Sequence, residues 1–92
     1  MQIEFDPEKN EINQSKHGLD FADVCFLDWD GALFKEDSRH DYGETRYIAY
    51  VTKRKRLYIV CLTFRGNSLR ILSFRKANKR EVAYYEQETA DR

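Results

Sequence analysis

The apolar positions of this chain fall into two regimes, a sparse helical one at the start and a dense alternating one from residue 46 onward. Phe5-Asp6-Pro7-Glu8 opens the first. Asp6 is placed to cap free amides, Pro7 suits the first helical position, and Glu8 sits at the positive end of the helix dipole. Gly18 closes the segment as the residue after the last turn, so the pattern predicts a helix over 7–17. That helix is almost wholly polar, with Ile12 its one large apolar residue. A second short helix is predicted from Asp20, as cap, through Phe21, Val24 and Cys25. Residues 26–31 then read as a loop, followed by a short strand at 32–35.

Beyond Arg46 the spacing is that of strands. Arg46–Val51 and Leu57–Phe64 are rich in Tyr, Ile and Val, and Lys53-Arg54-Lys55-Arg56 forms the hairpin tip between them. Leu57–Leu62 is apolar on both faces, which makes it the central strand, with helices covering one side. Arg65-Gly66-Asn67 is a second turn, leading into a strand over Ser68–Arg75. Simple alternation puts Leu69 and Ile71 on one face of that strand, and Leu72 and Phe74 on the other. Asn78-Lys79-Arg80-Glu81 is a capping box for a helix to Glu88, with Val82 and Tyr85 as its docking face and Glu86 and Glu88 outward. The predicted architecture is α+β: two N-terminal helices, an antiparallel meander sheet of about four strands, and a C-terminal helix. There is room for one more short strand at 2–5.

With 92 residues, of which 41% are hydrophobic, the chain is expected to form a single domain over 1–92 with one modest core. A chain of this size buries roughly 60–65% of its unfolded surface, so its stability margin is narrow. No apolar run approaches the roughly 18–20 residues that span a bilayer, and the N-terminus is too polar for a signal peptide. A cytoplasmic protein without membrane contact is therefore expected. Cys25 and Cys61, each among apolar neighbours, read as reduced core residues.

The net charge of zero hides an asymmetry. Residues 1–46 carry 12 Asp/Glu against 5 Lys/Arg, whereas residues 47–92 carry 11 Lys/Arg against 4 Asp/Glu. Between Tyr47 and Arg80 there are ten basic residues and no acidic one. Several chemistries are excluded at once, because the chain has no Gly-rich phosphate loop, HExxH, CxxC or nucleophile elbow. His17 and His40 have no ligand spacing to the cysteines. Asp28, Asp30, Glu36, Asp37 and Asp41 are strung along a loop and read as solvated, so neither a metal nor a cofactor is expected.

What remains is a basic set on strands and turns: Arg46, Arg65, Arg70, Arg75, Lys76, Lys79 and Arg80. Arginine suits phosphate because its planar fork donates two parallel hydrogen bonds and stays charged near neutral pH. Tyr47, Tyr50, Tyr58, Phe64 and Phe74 are interleaved with these charges, and although most belong to the core, aromatic faces of this kind can stack bases. The pattern points to a nucleic acid, with an acidic protein as the main rival.

Three runs of residues carry a family resemblance. Phe5-Asp6-x-x-Lys9-x-x-x-Asn13-x-x-Lys16-His17-Gly18-x-x-Phe21 resembles the N-terminal signature of the BrnT toxins of bacterial type II toxin–antitoxin systems. Gly43-Glu44-x-Arg46 resembles their middle motif, and Arg70-Ile71-x-Ser73-x-Arg75-x-Ala77-x-x-x-Glu81-x-x-x-Tyr85 their C-terminal one. The chain departs from the family in carrying Asp28-Trp29 where Asp-Pro is common, and Asn78 where Ser or Thr is common. The resemblance implies a RelE-like fold and a ribonuclease that inhibits translation. It also implies neutralisation by a BrnA-type antitoxin with a ribbon-helix-helix region, with operator DNA reached only through that antitoxin.

Under that resemblance Arg46, Arg70 and Arg75 are the first choice for phosphate chemistry, although strict alternation puts Arg70 and Arg75 on opposite faces of a straight strand. Arg65, Lys76, Lys79 and Arg80 are expected to bind the RNA backbone. Glu44 is the candidate proton acceptor, or else a surface ion-pair partner of Arg46. His17 is either a catalytic group or a helix-end residue favoured by the dipole, and it shares one helical face with Lys9 and Asn13. A non-catalytic basic module, or a co-repressor working with a DNA-binding partner, is the competing reading.

Overall fold

Local signals at the chain's start decide its first elements. In the computed structural model, which describes residues 1–92, a short strand β1 (Ile3–Glu4) precedes helix α1 (Pro7–His17). Asp6 accepts from the Glu8 amide at 2.9 Å, and Gly18 ends the helix in the left-handed region (φ 70). Asp20 then caps Phe21–Phe26, which is a 3-10 helix rather than an α-helix. With three residues per turn, Phe21, Val24 and Leu27 stack inward. Cys25 lies outside that line and is exposed, not a core residue.

Strands β2 (Asp28–Asp37), β3 (Arg46–Lys53), β4 (Arg56–Arg65) and β5 (Ser68–Lys76) form the expected antiparallel meander, and α2 (Lys79–Thr89) follows. The sheet has five strands rather than about four, in the order β1-β5-β4-β3-β2, and it is mixed because β1 runs parallel to β5. β2 is longer than the short strand predicted at 32–35. Its pairing jumps from Asp28–Thr52 to Leu33–Tyr50, so residues 29–32 swell out of register inside a strand. Trp29 fills that irregularity, donating from Nε1 to the Val24 carbonyl at 2.9 Å and stacking on Phe34.

β4 is central, as its two-sided apolar pattern requires, but it is covered on both faces rather than one. Phe21, Val24, Leu27, Ala49, Val51, Val60, Leu62, Ile71 and Phe74 pack together under the 3-10 helix. On the opposite face Tyr50, Leu57 and Ile59 receive Val82, Tyr84 and Tyr85 of α2. Glu86 and Glu88 point to solvent as predicted. The capping box of α2 is complete: Asn78 Oδ1 accepts from the Glu81 amide at 2.8 Å, and Glu81 Oε1 accepts from the Asn78 amide at 2.9 Å.

β5 departs from simple alternation. Its pairing with β4 slips between Cys61–Ser73 and Leu62–Ile71, leaving Leu72 as the extra residue of a bulge. Phe74 therefore joins Ile71 in one core instead of facing away from it. β1 ends opposite Arg70, so the outer edge of β5 beyond the bulge has no strand neighbour. Buried Asn13 takes that place. Its side chain accepts from the Phe74 amide at 3.1 Å and donates to the carbonyls of Phe74 at 2.8 Å and Leu19 at 3.0 Å.

The β3–β4 hairpin is tight. Lys53 pairs with Arg56, and both intervening residues are left-handed, Arg54 at φ 50 and Lys55 at φ 69. Such two-residue turns favour Asn-Gly, and a left-handed L-residue costs about 1–2 kcal/mol.

Two substitutions separate these roles in chemical denaturation. Asn13→Ala strands buried backbone groups of β5 and should cost at least ~2 kcal/mol. Asn78→Ala should cost ~0.5–2 kcal/mol by freeing a first-turn amide. Equal denaturation midpoints for Asn13→Ala and the parent would show that Asn13 does not hold the β5 edge.

Candidate nucleic-acid interface

The bulge decides which basic side chains share a surface. Cross-strand partners in an antiparallel pair lie on the same face, and the register pairs Thr63 with Arg70, Cys61 with Ser73, and Ile59 with Arg75. Arg70, Ser73 and Arg75 therefore face the same side, which removes the conflict raised by a straight strand. On β3, Arg46 follows the Tyr47–Leu62 pair and stands level with Thr63, whose hydroxyl donates to the Thr45 carbonyl at 2.7 Å. This is the α2 side of the sheet. α2 covers only the Tyr50–Leu57–Ile59 end, so no helix lies over the other end, where half-buried Arg46, Arg70 and Cys61 surround a buried Thr63.

Each guanidinium on this face has a carboxylate neighbour, which fixes Arg75 and Arg46 by hydrogen bonds and only approaches Arg70. Arg75 meets Glu81 end-on, Nη1 to Oε1 at 2.8 Å and Nη2 to Oε2 at 2.7 Å, and Nη1 also donates to the Lys76 carbonyl. Its Nε edge remains free for a second fork. The two hydrogen bonds from Arg75 hold the Glu81 carboxyl below its ordinary range, while Glu81 raises the already high pKa of Arg75. Arg46 gives Nε to Glu44 at 3.2 Å and sits over the Tyr42 ring, its Cζ 3.9 Å from the ring centre. Its terminal nitrogens are uncommitted among the protein's hydrogen bonds. Arg70 is 3.9 Å from Glu4, too long for a hydrogen bond, so its whole fork is available.

Asp37, expected to be solvated, and Arg39, which carried no expectation, complete the face. Asp37 is not a solvated loop carboxylate: its side chain is 3% exposed. Arg39 grips it side-on with Nε and Nη2, each at 2.8 Å, and the Tyr42 hydroxyl adds a third donor at 3.1 Å. The Arg39 hydrogen bonds hold the Asp37 carboxyl far below its ordinary range, and burial only partly opposes them. Arg39 lies near enough to Arg75 to repel it. The i, i+2 pairing of Asp37 and Arg39 at the end of a strand is the signal that was present in the sequence.

The remaining predicted residues divide. Glu44 sits between Arg46 and Arg65, the latter 3.5 Å away with a 54% exposed side chain. His17 is exposed on α1, and lines a small cleft with Lys9, Lys16, Leu72 and Ser73. Ser73, which lines the same cleft, is the residue of it that belongs to the arginine face. Lys76, Lys79 and Arg80 are exposed at the other end of the sheet, where β5 turns into α2. Of the interleaved aromatics, Phe64 alone is exposed, and it meets Tyr47 edge-on. No three His, Cys, Asp or Glu side chains come together as a metal-binding group.

The chemistry that such a surface can perform is limited and specific. It can seat a phosphate among several fixed two-donor edges, with one carboxylate and one imidazole at its margins.

Asp37 also sets an acid dependence. A carboxyl held below its unfolded value of about 3.9 stabilises the fold above that pH, and this contribution is lost as pH falls below it. Asp37→Asn should therefore lower the urea midpoint at pH 7. The gap to the parent should narrow steadily from about pH 4 downward. A constant gap across that range would remove Asp37 as the acid-sensitive group.

Comparison with known proteins bears on the same residues. The family model described as the ribonuclease toxin BrnT of type II toxin–antitoxin systems matches residues 5–81, from the residue before the α1 cap to the Glu81 that holds Arg75. No curated protein matches the chain. No helix is long and apolar enough to cross a membrane. By that match across most of its length, the chain belongs to the BrnT family of ribonuclease toxins.

Proposed function

We propose that the protein is a metal-independent endoribonuclease with a RelE-like fold that inhibits translation by cutting RNA on the open arginine face. The observation that carries this reading is the Leu72 bulge, which turns Arg70 and Arg75 to the side that holds Arg46. In the reaction the ribose 2′-oxygen attacks its own 3′-phosphorus and gives up its proton. The 5′-oxygen leaves with the bonding pair and takes a proton, so the products end in a 2′,3′-cyclic phosphate and a 5′-hydroxyl.

Arg46, Arg70 and Arg75, joined by Arg39, stabilise the extra negative charge of the five-coordinate phosphorus. Groups held in advance by carboxylates need no reorganisation as that charge develops. Glu44, beside Arg46, accepts the 2′-proton, and His17 at the β5 edge supplies the proton to the leaving oxygen. Arg65, Lys76, Lys79 and Arg80 hold the flanking strand. The partner is a BrnA-type antitoxin that covers part of the surface bearing Arg46, Arg65, Arg70 and Arg75, and operator DNA is reached only through it. The protein works in the cytoplasm as a single domain over 1–92.

The test is cleavage of RNA by purified protein in EDTA, with end-group analysis. Arg75→Lys keeps the charge but loses the fork, and should lower the rate by ~10²–10³, the size of effect seen when one fixed transition-state donor is lost. A substrate with 2′-deoxyribose at the cut site should be inert. Residual activity that is equal in the parent and in Arg75→Ala would mark a contaminant and favour the non-catalytic binding module.

A further inference from the structure

The end of the sheet farthest from Arg46 carries, beside the flanking-strand cations Lys76, Lys79 and Arg80, three charges that have no role so far. Arg54, Lys55 and Arg56 form the β3–β4 tip, and Lys76, Lys79 and Arg80 carry the chain from β5 into α2; all six are exposed. The two groups adjoin. Tyr58 pairs with Lys76, the Ala77 amide donates to the Leu57 carbonyl at 3.0 Å, and residues 54–57 line one open cleft of ≈ 310 Å³ with Ala77 and Val82.

None of the six makes an ion pair, whereas Arg39, Arg46, Arg65, Arg70 and Arg75 each have a carboxylate within 4.0 Å. Glu81, the acidic group nearest in sequence, is already shared between Arg75 and the α2 cap. The fold thus neutralises its basic residues on one half of the sheet and leaves the other half bare.

The turn itself points the same way. Arg54 and Lys55 both occupy the left-handed region, at positions where Asn-Gly would relieve the strain. Strain of this kind persists where the side chains serve something other than the fold. A protein partner would call for an aromatic or aliphatic anchor, but the apolar wall of the cleft is Leu57, Ala77 and Val82, none of them exposed. Phe26, beneath Lys53 on the other side of the hairpin, is the one large apolar group exposed nearby. A cationic cleft whose own apolar wall is covered fits a phosphate backbone.

We propose that the β3–β4 tip, through Arg54, Lys55 and Arg56, extends the flanking-strand cations at the start of α2 into a second surface that binds the phosphates of the RNA beyond the cleavage site. The identification of the polyanion as RNA rests on the nuclease reading. The two surfaces adjoin across the start of α2. Arg75 pairs with Ile59, three residues from Arg56, so the tip begins about 10 Å along β4 from Arg75. Glu81 of the first turn of α2 holds Arg75, and Val82 lines the cleft at the tip. A strand leaving the arginine face reaches the tip by passing the exposed Lys79 and Arg80 at the start of α2.

The informative variant is Arg54→Asn with Lys55→Gly, which removes two charges and the strain together. The probes are 2′-O-methyl oligoribonucleotides, which lack the nucleophile, of about 4 and about 12 nucleotides, within the range of site sizes on small folds. The double variant should melt ~4 °C or more above the parent. It should nevertheless bind the long probe ~10-fold more weakly near 0.15 M salt, with a salt slope shallower by ~1.4, as two lost phosphate contacts predict. Binding of the short probe should be unchanged. Lys79→Gln with Arg80→Gln, which leaves the turn alone, should weaken the long probe similarly.

Unchanged long-probe affinity in both variants, or equal loss for both probe lengths, would overturn the proposal. So would competition by poly-glutamate as effective as an oligonucleotide of equal charge, which would assign the surface to acidic proteins. If the parent cuts no RNA but the tip-dependent, length-dependent binding persists, the nuclease reading fails and the second surface stands.

Discussion

Both backbone groups of Phe74 are held by one side chain, Asn13, and the arrangement of the molecule follows from that clasp. β5 needs a partner on its outer edge, and β1 supplies one only as far as Arg70. Beyond the bulge at Leu72 the edge would face the protein interior unpaired, at a cost of about 1–3 kcal/mol for each buried group. Asn13 meets that need, and in doing so ties α1 to the sheet and fixes the bulge in register. Without a fixed bulge Arg75 would have no settled face. A buried amide in a helix thus determines where a guanidinium points on the opposite side of the sheet.

What was legible in the sequence was local. Asp6, Pro7 and Gly18 mark α1 through cap geometry that acts over a few residues, and the Asn78–Glu81 box marks α2 in the same way. The hairpins β3–β4 and β4–β5 were legible because their turns and alternation are contiguous. β2 was not: three extra residues between Asp28 and Leu33 break the alternation, and Trp29 is held there by a carbonyl of the 3-10 helix, a tertiary contact. The short β1 has no pattern of its own, and exists because β5 offers an edge. The Leu72 bulge was equally hidden, since Leu69, Ile71, Leu72 and Phe74 fit straight alternation as well as the real register.

The same distinction holds at the candidate site. Arg46, Arg70 and Arg75 could be named from charge and motif, but their shared face depends on long-range register. Asp37 was misread because an acidic run looks solvated until the strand pairing of Asp37 with Arg46 brings it under Tyr42 and Arg39. Cys25 was misread because the segment looks α-helical, and a change from 3.6 to 3.0 residues per turn moves it out of the core.

The charge asymmetry along the chain is resolved in space only in part, and the resolution is instructive. The acidic first half sends Glu4, Asp37 and Glu44 to meet Arg70, Arg39 and the Arg46–Arg65 pair, and Glu81 meets Arg75. Apart from buried Asp37, these carboxylates do little for stability, since pairs open to solvent are worth about 0–1 kcal/mol each. Their effect is geometric, because a guanidinium gripped on one edge has its other edge aimed. A site that must stabilise charge appearing on phosphorus gains from donors fixed beforehand. A surface that only tracks a flexible backbone gains from mobile, unpaired cations. The fold carries both kinds of arginine, separated by half the length of one sheet, and the presence or absence of a carboxylate partner tells them apart.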